Sequence, residues 1–120
     1  MSTLKSVALF ELMATQLQGE VGKGVVEKVD AVYHFELRKT KASAPQFITL
    51  DLKNGSGKIT FAKEGKADAA FSMLDDDFIK LTKGQLKPQN AFMTGKMKIK
   101  GNLKKAMKFN PSVLPAGAKL

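Results

Sequence analysis

Cysteine and tryptophan are absent from the 120 residues, and histidine, tyrosine and arginine occur once each, as His34, Tyr33 and Arg38. Without cysteine there is no disulfide framework, no thiolate metal site and no cysteine nucleophile, which fits a reducing compartment without demanding one. No apolar run approaches the roughly 20 residues needed to cross a bilayer, so no membrane span is expected. In the opening MSTLKSVALFELM, Glu11 interrupts the apolar stretch and no small-residue cleavage pattern follows, so no secretory signal is read there. Carboxylates are missing from the whole of 78–120. All 11 lie at or before Asp77, where ten basic residues leave a net charge of −1, so the overall +9 belongs to the ten lysines of the last third. Such a field attracts nucleic acid, anionic membrane surfaces or ligands with carboxylate or phosphate heads. A merely solubilising surface is the plain alternative.

The absences extend to chemistry. His34 falls on the polar side of an alternating run and is expected as a surface imidazole, away from the apolar interior, so the usual pairing of nucleophile and base has no candidates. Asp75, Asp76 and Asp77 are adjacent and cannot all converge on one ion; capping of a helix start explains them. No metal site, cofactor or catalytic residue is expected, and the chain reads as a non-enzyme. The glycines of GEVGKG match neither a phosphate loop nor a dinucleotide fingerprint. Nucleic acid is not expected as a partner: Tyr33, Phe35, Phe61 and Phe71 fall on predicted buried faces, opposite the lysines, whereas single-strand binders expose rings on the basic face.

What is present suits one domain of about 100–150 residues, able to bury a core unaided. Val7, Phe10, Met13, Ala14, Leu17 and Val21 recur at helical spacing, widened by Leu9 and Leu12. Gly19, Gly22 and Gly24 weaken helix before a short second one ending at Asp30. Period-two alternation then marks strands: VYHFELR with Tyr33, Phe35 and Leu37 inward, FITLDLK with Ile48, Leu50 and Leu52 inward, KITFA with Ile59 and Phe61 inward, and DAAFSML with Ala69, Phe71 and Met73 inward. Asn54-Gly55 signals a hairpin. Helical spacing returns in DDDFIKLTKG and in PQNAFMTG, which starts at Pro88 and closes at Gly95. MKIK forms a fifth strand, and Asn102 caps a last helix that Pro111 terminates. The expected fold is α+β, five strands with helices at both ends and one sheet face covered by helices.

The six methionines and eight phenylalanines are expected to make an interior rich in both. Methionine repacks around variable apolar partners, yet composition alone describes an ordinary core. The run ADAAFSMLDDDFIKLTKGQLKPQNAFMTGKMKIKGNLKKAMKF adds more. Its GQLKPQNAF, from Gly84 to Phe92, and its GKMKIKGN, from Gly95 to Asn102, resemble the sterol carrier protein 2 family of non-specific lipid-transfer proteins, with Gln85 where lysine is usual. The order and spacing of the elements agree over nearly the whole chain.

The resemblance implies a five-stranded, mostly antiparallel sheet with helices covering one face and an apolar tunnel between them, lined by Phe10, Met13 and Leu17 of the first helix and by Phe35, Phe71, Met97 and Ile99 of the strands. Leu81, Phe92, Met93 and Met107 complete that lining, and Gln89 meets a polar ligand head near the mouth. The implied function is binding and transfer of fatty acid, acyl-CoA, sterol or phospholipid by a monomer. The alternative is an accessory role, presenting substrates to β-oxidation enzymes or stabilising them. The basic last third suits transient contact with anionic membranes. A tail over 111–120 ends in Ala118, Lys119 and Leu120, which resembles the peroxisomal address Ser-Lys-Leu and implies import into the peroxisomal matrix through the receptor that reads it, with a cytosolic pool beside it.

Overall fold

The computed structural model describes residues 4–108. The expected tail at 111–120, with Pro111, Ala118, Lys119 and Leu120, lies outside them. Two helices open the chain, α1 (Lys5–Gln16) and α2 (Gly19–Val29). The apolar stripe was expected to run through to Val21. Instead the helix breaks at Leu17 and Gln18, the helical phase resets, and Val21 emerges 56% exposed. The glycines that should weaken helix lie inside α2. Gly22 explains the exchange: a Cβ there would run into the Ser56 carbonyl oxygen. Losing about 1 kcal/mol of helix propensity allows α2 to press directly on a hairpin and bury Val25 and Val29.

Five strands follow: β1 (Ala31–Arg38), β2 (Gln46–Leu52), β3 (Lys58–Thr60), β4 (Ala69–Leu74) and β5 (Met97–Gly101). They lie in the order β3-β2-β1-β4-β5; β1 and β4 are parallel and the other neighbours antiparallel. With α3 (Asp75–Thr82), α4 (Pro88–Met93) and α5 (Leu103–Met107), this is the expected α+β architecture. The hairpin at Asn54-Gly55 forms, but Gly55 and Gly57 take the positive φ angles and Asn54 does not. Asp51 Oδ1 instead accepts from the backbone amides of Lys53 and Asn54, at 2.9 and 3.1 Å.

The third strand is shorter than KITFA predicts, and Phe61 is 42% exposed rather than inward. Thr49 is the cause. Its hydroxyl donates to the Ala62 carbonyl at 2.6 Å and accepts from the Glu64 amide at 3.0 Å, drawing residues 61–66 across the face opposite the helices. His34 lies beneath that segment. It is on the polar side as expected, yet only 7% exposed, and its Nε2–H donates to the Glu64 carbonyl at 2.8 Å. The expectation of a surface imidazole is therefore corrected: a folded-back loop covers it.

The acidic cluster also acts at a distance. No side-chain cap closes the start of α3. Asp75, 4% exposed, accepts instead from the Lys5 and Ser6 amides at 2.8 and 2.9 Å, capping α1 from α3. The two helices are thereby joined at the N-terminal end of α1.

Candidate functional site

Register across the sheet builds the inner face row by row. Ile48, Phe35, Phe71 and Ile99 stand side by side on β2, β1, β4 and β5; Leu37, Met73 and Met97 form the next row, and Leu50, Tyr33 and Ala69 the row on the other side. Above them pack Phe10, Met13 and Leu17 from the start of the chain and Phe78 and Leu81 of α3. At the centre Phe35 touches four rings, with centroids 5.4 Å from Phe10, 6.4 Å from Tyr33, 5.2 Å from Phe71 and 5.4 Å from Phe78. Phe10 and Phe78 stack at 5.0 Å.

The polar note in this layer comes from Tyr33. Its hydroxyl donates to the Lys105 carbonyl at 2.6 Å, tying α5 to the sheet. Burial, and after it the negative charge of Asp68, pushes the phenol well above its ordinary range, so Tyr33 serves as a neutral donor. Lys105 Nζ reaches back to the Asp30 carbonyl at 2.7 Å, a second tether for the same helix.

Of the residues implied to line a tunnel, Phe10, Met13, Leu17, Phe35, Phe71, Leu81 and Met97 are brought together in one buried layer, and Ile99 is half-buried at its margin. Four stand elsewhere. Gln89, Phe92 and Met93 are exposed on α4, where Ala91 alone is buried, and Met107 is 44% exposed on α5. Tyr33 and Phe78 belong to the central cluster but were not singled out as lining. The signals were available, since Tyr33 shares the face of Phe35, and Phe78 precedes Leu81 by three residues.

The GKMKIKGN run proves to be a folding device. Gly95 ends α4 with φ 78°, and Met97 and Ile99 face inward. At Gly101, with φ 90°, a Cβ would sit 2.7 Å from the Asp68 carbonyl oxygen. Asn102 donates its amide to that same carbonyl at 2.8 Å, and its side chain caps α5 by accepting from the Lys105 amide at 3.0 Å. Asp68 Oδ2 in turn accepts from Val32 at 2.8 Å. The motif thus fixes β5 and α5 against the rest of the sheet. Among the described residues no group of three potential ligands could hold a metal ion, and no helix is long and apolar enough to cross a membrane.

Helices roofing one face of a mixed sheet, over an aromatic and methionine-bearing interior, define a class of α+β domain whose distinctive feature is that apolar layer. Comparison with known proteins places it further. The SCP-2 sterol transfer family matches residues 10–113, and the chain belongs to that family. It is 41% identical to sterol carrier protein 2 of Arabidopsis thaliana over 98% of its own length and 96% of that protein's. The chicken sterol carrier protein 2 is 36% identical over 97% of this chain, which spans only 21% of that longer protein. Among solved structures, apo sterol carrier protein 2 of Yarrowia lipolytica superposes with a TM-score of 0.83 at 31% identity, covering 99% of this chain and 95% of that one. Sterol carrier protein 2 of Aedes aegypti in complex with palmitate shares the fold, with a TM-score of 0.64 at 24% identity over 97% and 98% of the two chains.

Proposed function

We propose that the chain is a non-enzymatic carrier that encloses the apolar body of a lipid between its helices and sheet. The observation that carries this reading is the inner layer itself, in which aromatic and methionine side chains from the first helix, α3, β1, β4 and β5 converge. Membership of the sterol transfer family supports it. Transfer energetics suffice for binding without a covalent step: each methylene removed from water contributes about 0.8 kcal/mol, so a chain of about twelve contributes on the order of 10 kcal/mol against the cost of association. Ring contacts fill the centre of the layer, so cargo enters by displacing side chains, a role to which Met13 and Met97 are suited.

The cargo classes of this reading are fatty acid, acyl-CoA, sterol and phospholipid. Phe92, Met93 and Met107 are exposed, and the segments that carry them also carry Lys87, Lys96, Lys104 and Lys108, which supports α4 and α5 as the elements from which cargo passes to an anionic membrane. The terminal Ala118, Lys119 and Leu120 support a peroxisomal location; a fluorescent fusion lacking Leu120 is expected to lose it.

A fluorescent fatty acid tests the central claim. The unmodified protein is expected to bind it saturably. Met97→Trp, which fills the inner layer, should weaken binding by about tenfold or more, in line with ~1.4 kcal/mol or more of displaced contact, whereas Lys98→Ala, one residue along and on the other face, should leave it unchanged. Absence of saturable binding by the unmodified chain overturns the proposal.

A further inference from the structure

We propose that the face of the sheet turned away from the helices carries a second site, which takes a phosphate monoester or a similarly compact dianion. Its floor follows from register. Phe47, Glu36, Ser72 and Lys98 lie in one row across β2, β1, β4 and β5, and Thr49, His34, Ala70 and Lys100 in the next. The β4 members of both rows are small. With strands about 4.8 Å apart, Ala70 and Ser72 leave a depression between the lysines of β5 on one side and Glu36, His34 and Phe47 on the other. The segment at 61–66, pinned by Thr49 and by His34, extends over it and lays the Lys63 ammonium 5.7 Å from the centre of the Phe47 ring.

The resulting recess has a volume of about 130 Å³. That is close to the ~150 Å³ of a cavity that admits a single benzene ring, and well short of the ~300–1,000 Å³ of pockets that enclose a whole drug-sized ligand. It suits a head group and excludes a lipid tail.

Charge decides which head group. Glu36 is already engaged, accepting from the Ser72 hydroxyl at 2.8 Å and from Arg38 at 2.9 Å, and those two hydrogen bonds hold it ionised. Lys63, Lys98 and Lys100 form no ion pair among the described residues. The lining therefore brings three lysines against one carboxylate, which is paired with Arg38 and lies in the favourable field of Lys100 as well. Lysine on an edge strand also deters pairing with another sheet, which accounts for cations along β5. It does not account for the small floor, for Lys63 arriving from a separate segment, or for the Phe47 wall, which offers a flat apolar surface to whatever bears the phosphate. The site is on the opposite side of the sheet from the lipid-binding layer and does not depend on that assignment.

Amide shifts of the isotopically labelled protein, titrated with phenyl phosphate, inorganic phosphate and phenol, test the inference. Phenyl phosphate is expected to produce saturable shifts centred on His34, Ser72, Lys98 and Lys100, and phenol none. Lys98→Gln with Lys100→Gln should weaken the response by about tenfold or more, as loss of charge-assisted hydrogen bonds entails. Ala70→Leu fills the floor without changing charge and should abolish the response; Lys80→Gln with Lys83→Gln removes the same charge at the C-terminal end of α3 and should not. Vesicles containing phosphatidic acid, set against phosphatidylcholine alone, distinguish a membrane head group from a soluble ester, and a localised response to either supports the site. Unsaturable shifts spread over all the lysines, or an unchanged response in Ala70→Leu with its folding verified by thermal melting, would overturn it.

Discussion

The two faces of the sheet are made by the same strands and differ in almost everything else. On the inner side Phe35 and Phe71 are 0% and 2% exposed and their rings stack. One residue along, on the outer side, Glu36 and Ser72 share a hydrogen bond and border a shallow basic recess. Period-two alternation lets eight residues of β1 supply a roofed apolar layer and an open polar surface together. The inner face derives stability from the area it removes from water; the outer face derives shape from small side chains and from one loop folded back over it. The two proposals divide along the same line, with the apolar body of a lipid on one side and a separate compact dianion on the other.

Substitution of neighbours on β1 measures that contrast most directly. Phe35→Ala removes the ring at the centre of the cluster and is expected to cost about 3–5 kcal/mol of unfolding free energy. Glu36→Ala should cost no more than about 1 kcal/mol, because its ion pair with Arg38 is partly open to solvent. Urea unfolding monitored by circular dichroism gives both values. Equal losses at the two positions would mean that the outer face is as much a part of the core as the inner one.

A smaller effect tests how the roof is held over the inner face. Asp75→Ala leaves the Lys5 and Ser6 amides at the start of α1 without acceptors in a buried place, for an expected loss of about 2–4 kcal/mol. Asp75→Asn keeps an oxygen acceptor and should recover part of it. Asp76→Ala removes only an exposed pair with Lys5 at 3.6 Å, worth less than about 1 kcal/mol. Thermal melts of the three variants would rank them; a loss at Asp76 equal to that at Asp75 would place the roof's anchor in surface charge rather than in the buried cap.

The inner face was legible from sequence because alternation is a local property: every strand residue expected inward on VYHFELR, FITLDLK and DAAFSML is buried. The cap at Asn102 is equally local, three residues from its donor. What escaped depends on contacts between distant parts of the chain. Asp75 was read as a cap, but its recipients lie 70 and 69 residues away. His34 and Phe61 changed places, one covered and the other uncovered, because Thr49 captures a loop that no periodicity describes. Val21 left the buried stripe when two residues reset the helical phase, and a hydrophobic pattern read straight through a break has no means of showing the turn. The residues of α4 mark the same limit, since apolar character alone does not tell Ala91, which packs inward, from Phe92 and Met93, which do not.

A further effect lies at the polar group of the inner ring cluster, and its size depends on pH. Tyr33→Phe removes the bond to the Lys105 carbonyl, which keeps the Lys108 amide as a donor at 3.1 Å, and should cost about 1 kcal/mol near neutrality. The folded state raises the phenol's pKa, so above about pH 10 the unfolded chain releases this proton while the folded protein retains it. Stability from the neutral phenol is then complete below pH 10 and is lost as pH rises towards the folded value, at up to about 1.4 kcal/mol per pH unit. Phenylalanine has no proton to release and escapes that loss, whereas lysine titration is common to both proteins and cancels in their difference. The gap between wild type and Tyr33→Phe in urea midpoint should therefore narrow between pH 8 and pH 10.5, by an amount that reports how strictly the inner face excludes charge. A gap that stays constant over that range would mean that the phenolate is tolerated among the rings and that the two faces of the sheet differ less in polarity than their packing implies.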